Sequence, residues 1–204
     1  TVLAGTGVDG SWEAFAPHNP TIKRFDGTFA LFYIARTDPS DNSTQRIGLA
    51  TAPSITGPWT RRDAPILSPS DSPDNWTHAS PVGVTNPAPL RHPDGRYFLY
   101  FKSRRDGASN TQMGVAIADG LEGPYVIADE PITNNDDHSI EDGYAFVDAD
   151  GLINLMTTDN HGILEFGGGL LWTSKDGLSF DTPTSAFHLL CLLYTSDAAD
   201  DETS

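Results

Sequence analysis

Glu141 and Asp142 stand side by side in the chain, and no other pair is better suited to acid–base work. Two carboxyl groups divide such work when their surroundings separate their pKa values, one staying protonated and the other ionised. Glycosidic bond cleavage uses such a pair: one acid protonates the leaving oxygen and one carboxylate acts as base or nucleophile. Neighbours on a regular strand point to opposite faces, so only one of the two faces a given site there. The plain alternative is a solvated acidic turn within residues 134–143, Asn-Asn-Asp-Asp-His-Ser-Ile-Glu-Asp-Gly. Two further polar pairs, His18-Asn19 and Thr85-Asn86, hold equivalent places before apolar runs. Asn-Pro, which closes both of these, also simply starts turns.

A repeat must position these pairs. Each is followed by an apolar strand, a turn (Asp26-Gly27, Asp94-Gly95, Asp150-Gly151) and a second apolar strand. Asp-Gly between such runs is a strong hairpin signal, because glycine accepts the positive φ the turn needs. Each hairpin has a sequel: Gln45–Ala52 then Gly57-Pro58-Trp59, Gln112–Ala118 then Gly123-Pro124-Tyr125, and Gly169–Ser174 then Asp176–Phe180. That is a third strand and an aromatic opening a fourth. Four antiparallel strands, repeated, are the pattern of a propeller blade. A β-sandwich of the same strands is the alternative, and recurrence of the whole unit favours the propeller. In a propeller the innermost strands begin at one channel mouth, so the three polar pairs are expected to converge there.

Composition agrees and narrows the function classes. The chain has 204 residues, 38% hydrophobic and 10% aromatic, enough for a packed core. Twelve basic against 28 acidic residues give a net charge of −16, which repels nucleic acid phosphate and anionic lipid. No apolar run approaches a membrane-spanning length. One cysteine excludes an internal disulfide framework. Cys191–Asp200 reads as a translated sequencing adapter, so 191–204 is expected to be a non-native tail and 1–190 the domain. The chain is expected to be a piece of a longer one. Its location is left open; secretion or the periplasm is the expectation if a leader precedes Thr1. Oligomeric state is also left open.

Six phrases carry a family resemblance: APHNPTIKRFDGTFALFYIA, QRIGLATAPSITGPWTRRDAPIL, VTNPAPLRHPDGRYFLYFKSR, MGVAIADGLEGPY, IEDGYAFVDADG and GGLLWTSKDGLSF. Together, in this order, they resemble the five-bladed propeller glycoside hydrolases related to families 43 and 117, over about residues 10–182. The resemblance implies an all-β, incomplete five-bladed β-propeller with about three four-stranded blades present. It implies an exo-acting glycosidase on plant or algal oligosaccharides, with Glu141 as acid and Asp142 as its support or as the second carboxylate. Substrate contacts are then expected from His18, Asn19, Thr85, Asn86, Lys102, Arg104 and Asp159, with Trp76 and His78 from an inserted loop. No cofactor is expected; the one cation that comes up is a structural calcium at Asn134–Asp137, which lacks EF-hand spacing.

The chain departs from the family at three places. Asparagine stands at positions 19 and 86 where family 43 enzymes carry an acid, Gly143 replaces a proline, and Thr157–Gly162 replaces a Lys-Asp-Met-like stretch. An amide cannot act as a carboxylate base, so a carbohydrate-binding propeller without hydrolysis is the second reading. A glycoside phosphorylase is a third, with Arg104 and Arg105 as its only hint of a phosphate site.

Overall fold

A computed structural model describes residues 3–133 and 137–187; the tail at 191–204 and Asn134–Asp136 of the calcium candidate fall outside them. The described residues form twelve strands in three four-stranded antiparallel sheets and no α-helix. Sheet A holds β1 (Phe15–Phe25), β2 (Thr28–Arg36), β3 (Gln45–Ala52) and β4 (Thr60–Arg61). Sheet B holds β5 (Thr85–Arg91), β6 (Tyr97–Ser103), β7 (Gln112–Ala118) and β8 (Val126–Ile127). Sheet C holds β9 (Glu141–Val147), β10 (Ile153–Thr158), β11 (Gly169–Ser174) and β12 (Thr184–Phe187). In each sheet the strands lie in chain order, so the repeat read from the sequence is the architecture. Gly57-Pro58 and Gly123-Pro124, at equivalent places before β4 and β8, are both cis.

The sheets pack face to face through apolar layers. Phe32, Ile47 and Leu49 of sheet A meet Leu99, Phe101 and Ala116 of sheet B. Phe98, Tyr100 and Val115 on the other face of sheet B meet Leu155, Leu170 and Trp172 of sheet C. The first strands β1, β5 and β9 are consequently neighbours. Thr21 Oγ1 on β1 donates to the Pro87 carbonyl on β5 at 2.8 Å, and Lys23 Nζ on β1 donates to the Ala145 carbonyl on β9 at 3.1 Å.

One packing device recurs and corrects an expectation. Trp76 was expected on an inserted loop as a sugar platform, but it is 1% exposed and stacks on Phe101 at 5.8 Å and 15°. It covers Gly114, where a Cβ would lie 2.4 Å from the indole. Trp12 does the same in sheet A, stacking on Tyr33 at 6.0 Å above Gly48. The segment before each of these two blades thus folds an indole onto the glycine of the third strand. The apolar ring is used for packing.

Candidate active site

Each inner strand carries the same irregularity at the same height. Between His18 and Thr21, between Thr85 and Ala88, and between Glu141 and Tyr144, the inner strand spends three steps where its partner spends two. One extra residue per strand is a β-bulge, which re-aims side chains. The bulge residues Asn19, Asn86 and Asp142 have φ of 47°, 51° and 59°. That left-handed conformation is disfavoured for most side chains, and Asn and Asp adopt it most readily. Pro20 and Pro87 follow the first two bulges, where no ladder N–H is required. So the Asn-Pro pairs are bulges of an inner strand, and Asp142-Gly143 is their counterpart in sheet C.

Of the three polar pairs expected at one mouth, Asn19, Asn86 and Asp142 meet there, while His18, Thr85 and Glu141 do not wall the cavity. Asn19-Pro20, Asn86-Pro87 and Asp142-Gly143, with Thr21, wall an open cavity of about 350 Å³. A hydrogen-bond chain runs across it: Asn19 Nδ2 donates to Asn86 Oδ1 at 3.3 Å, and Asn86 Nδ2 donates to Asp142 Oδ1. The bulge also resolves the geometric conflict between Glu141 and Asp142. Asp142 turns to the cavity, while Glu141, the last regularly paired residue, turns to sheet B and the loop after β10. Its Oε2 accepts from Lys102 Nζ at 2.6 Å and its Oε1 from Asn160 Nδ2 at 2.9 Å.

The two carboxyls are pushed in opposite directions. Burial alone would raise Glu141, but the Lys102 hydrogen bond and charge, with Asn160 and His161, bring it below its usual value. Desolvation and the neighbouring Glu141 charge raise Asp142 against the opposing pull of Lys102 and Asn86. This reverses the condition expected of Glu141, because a general acid needs its proton held. Asp142, although exposed at the cavity, is the one of the two that is pushed up.

Other expected site residues are placed differently. His18 is the residue before the first bulge, paired with Ile34, and does not wall the cavity. Thr85 is 3% exposed and its hydroxyl donates to the Lys102 carbonyl at 3.4 Å, so it braces its own hairpin and does not face a ligand. Arg104 does not wall the cavity, its backbone N–H donating to Ser80 Oγ at 3.4 Å, and Arg105 pairs with Glu130 at 2.7 Å. His78 Nδ1 lies 3.2 Å from the Ser70 carbonyl within its own loop. Asp159 is 1% exposed and directed into its own loop. Asn160 was not singled out: the sequence marked it only as part of the turn-rich stretch Thr157–Gly162, where the chain departs from the family. Among the described residues no group of three or more His, Cys, Asp or Glu is arranged to hold a metal.

Comparisons with known proteins agree with this architecture. No protein-family model matches the chain. The extracellular endo-α-(1→5)-L-arabinanase 2 of Bacillus subtilis is 28% identical over 110 residues, which is 53% of this chain and 22% of that protein. A family 117 glycoside hydrolase from the marine bacterium Zobellia galactanivorans superposes with a TM-score of 0.69 and 21% identity, covering 90% of this chain and 49% of that one. A family 43 β-xylosidase/α-arabinofuranosidase from a compost metagenome superposes at 0.64 with 19% identity, covering 83% and 58%. A putative exo-β-1,3-galactanase from Bifidobacterium bifidum also superposes at 0.64, with 20% identity, covering 89% and 55%. The fold is therefore that of the propeller glycoside hydrolases, and this chain spans about half the length of the structures it matches.

Proposed function

We propose that the chain is part of a glycoside hydrolase whose sugar-binding mouth is the cavity between the three bulges. The observation that carries this reading is the placement of two adjacent carboxyls at that mouth: Asp142 faces the cavity and accepts from Asn86, while Glu141 is held by Lys102 and Asn160. Asp142 is the proton donor to the leaving oxygen. Glu141, kept ionised by Lys102 and Asn160, is the fixed negative charge that helps keep the proton on Asp142. Pairs of carboxyls driven apart in this way are how one site runs acid chemistry near neutrality. Asn19 and Asn86 orient sugar hydroxyls through their amide groups and take no proton. In this reading the base is a carboxylate outside the three sheets. The proposed substrates are plant or algal oligosaccharides, attacked from a chain end.

The amides at positions 19 and 86 favour one second reading, a propeller that binds sugars without cutting them. A phosphate-using reaction is not favoured, since neither Arg104 nor Arg105 reaches the cavity wall. A panel of plant and algal oligosaccharides, incubated with the protein expressed from the whole reading frame that encodes the chain and followed for both released sugar and binding, separates the two readings. Release of a terminal sugar supports the hydrolase. Binding with no release from any member supports the binding propeller and refutes the hydrolase.

A further inference from the structure

The loop between β10 and β11, residues 159–168, leaves the mouth end of sheet C and is organised around one side chain. Asp159 Oδ1 accepts from the backbone N–H groups of Gly162 at 2.8 Å and Ile163 at 2.7 Å. Its Oδ2 accepts from those of Leu164 and Glu165, both at 2.8 Å. The backbone closes the same loop: Asp159 N–H donates to the Gly168 carbonyl at 2.9 Å, and Gly167 N–H to the Asp159 carbonyl at 2.8 Å. An ionised carboxylate offers about four acceptor sites and no donor. All four are filled here, by groups from four successive residues. An amide in its place would turn an NH2 group toward two of these donors. Gly162, at φ 78°, lets the chain make the turn.

The residue after this clamp is Asn160, the exposed side chain that donates to Glu141. A surface asparagine on an unbraced loop would spend little time in one hydrogen bond, because ordering a side chain costs conformational entropy. We propose that Asp159 is a positioning residue of the mouth: by folding residues 159–168 onto its carboxylate, it fixes Asn160 against Glu141. It deepens the hydrolase reading above and does not make Asp159 touch substrate. Among the described residues, the charged and titratable groups acting on Glu141 are Lys102 from β6, Asp142 beside it and His161 from the loop. His161 in turn meets the His138 ring edge-on at 5.8 Å. Of these, only His161, together with the uncharged Asn160, rides on the loop.

The test reads Glu141 directly, so that it does not depend on activity. Its side-chain carboxyl is titrated by carbon-13 NMR in the wild type, Asn160→Ala, Asp159→Asn and the double variant, and sugar release is measured beside it. Losing the Asn160 hydrogen bond removes one of the contacts that lower the Glu141 pKa, so its titration moves to higher pH. Asp159→Asn is expected to move it the same way by a comparable amount, with nothing added in the double variant. Sugar release is expected to fall about tenfold in kcat with little change in KM, the order of effect of one charge-assisted hydrogen bond. Should Asp159→Asn not fold, Gly162→Ala strains the same loop with the carboxylate intact and is expected to shift Glu141 likewise. Glu141 titrating as in the wild type in the folded loop variants overturns the proposal, as does a double variant whose shift is the sum of the singles. Coupled titrations in a wild type that releases no sugar count for the positioning role and against the hydrolase.

Discussion

Glu141 and Asp142 share a peptide bond but not an environment, and the difference has a measurable sign. If Asp142 delivers the proton, the alkaline limb of the rate profile reports its ionisation. Glu141→Gln removes a negative charge that raises Asp142, so the limb should move to lower pH. Lys102→Met removes a positive charge that lowers Asp142, so the limb should move to higher pH. Opposite shifts in these two variants are the expected outcome of pH–rate measurements; shifts of one sign would assign the limb to another group. The carboxylate pair was legible in the sequence as lying near one mouth, because its place in the repeat put it there, whereas Lys102 was read as a sugar contact beyond a second strand and instead meets Glu141. The roles within the pair were not legible, because which neighbour faces the cavity depends on a bulge that alternation along a regular strand does not reveal. Trp76 misled for a related reason: loop position suggested an open ring, while the glycine beneath it made room for packing.

The twelve-strand repeat was readable because Asp-Gly turns and apolar runs are local signals, whereas the three bulges are a property of strand pairs. Asn86 tests what the bulge requires. Asn86→Gly suits the backbone at φ 51° but loses the amide that donates to Asp142, a contact that lowers the carboxyl. Near-native thermal stability with an alkaline limb moved to higher pH is expected. Asn86→Val puts a β-branched side chain in the left-handed region, at a cost of about 1–3 kcal/mol. A clear drop in melting temperature relative to the glycine variant is expected from thermal unfolding. The third strand offers an independent test. A Cβ at Gly114 would meet the Trp76 indole at 2.4 Å and the Phe101 ring at 2.9 Å. Gly114→Ala should destabilise by about 1–3 kcal/mol through overpacking, with the pH profile of sugar release unchanged.

Over the whole molecule, acidity and architecture act together. Asp159, Glu141 and Asp176 are all held below their usual values when folded: at Asp159 burial is outweighed by four backbone N–H groups, at Asp176 backbone N–H groups dominate, and at Glu141 burial is outweighed by Lys102 with Asn160. A lowered folded pKa contributes stability that is present above the unfolded value and lost as pH falls through the folded one. With reference values of 3.8 for Asp and 4.5 for Glu, the melting temperature should hold from neutrality to about pH 5 and fall below about pH 4. Asp142, raised when folded, opposes this slightly, since its protonation relieves a cost as pH falls. A melting temperature that rises between pH 4 and pH 3 would contradict these assignments. Sheet A's outer side is covered by Leu3, Trp12 and Trp59, whereas near sheet C Tyr144, Leu164 and Phe166 stay 49%, 51% and 72% exposed. The proposed reading turns on one assignment, Asp142 as the proton donor at the mouth. It is tested most directly by comparing wild type with Asp142→Asn, expressed from the whole reading frame that encodes the chain, on two glycosides of the same sugar. On an oligosaccharide, whose leaving oxygen needs a proton, the variant should lose about 10²–10⁴-fold in rate. On a dinitrophenyl glycoside, whose leaving group departs without one, it should keep most of its rate. Equal losses on both, or no loss on either, would contradict the assignment of the proton donor to Asp142.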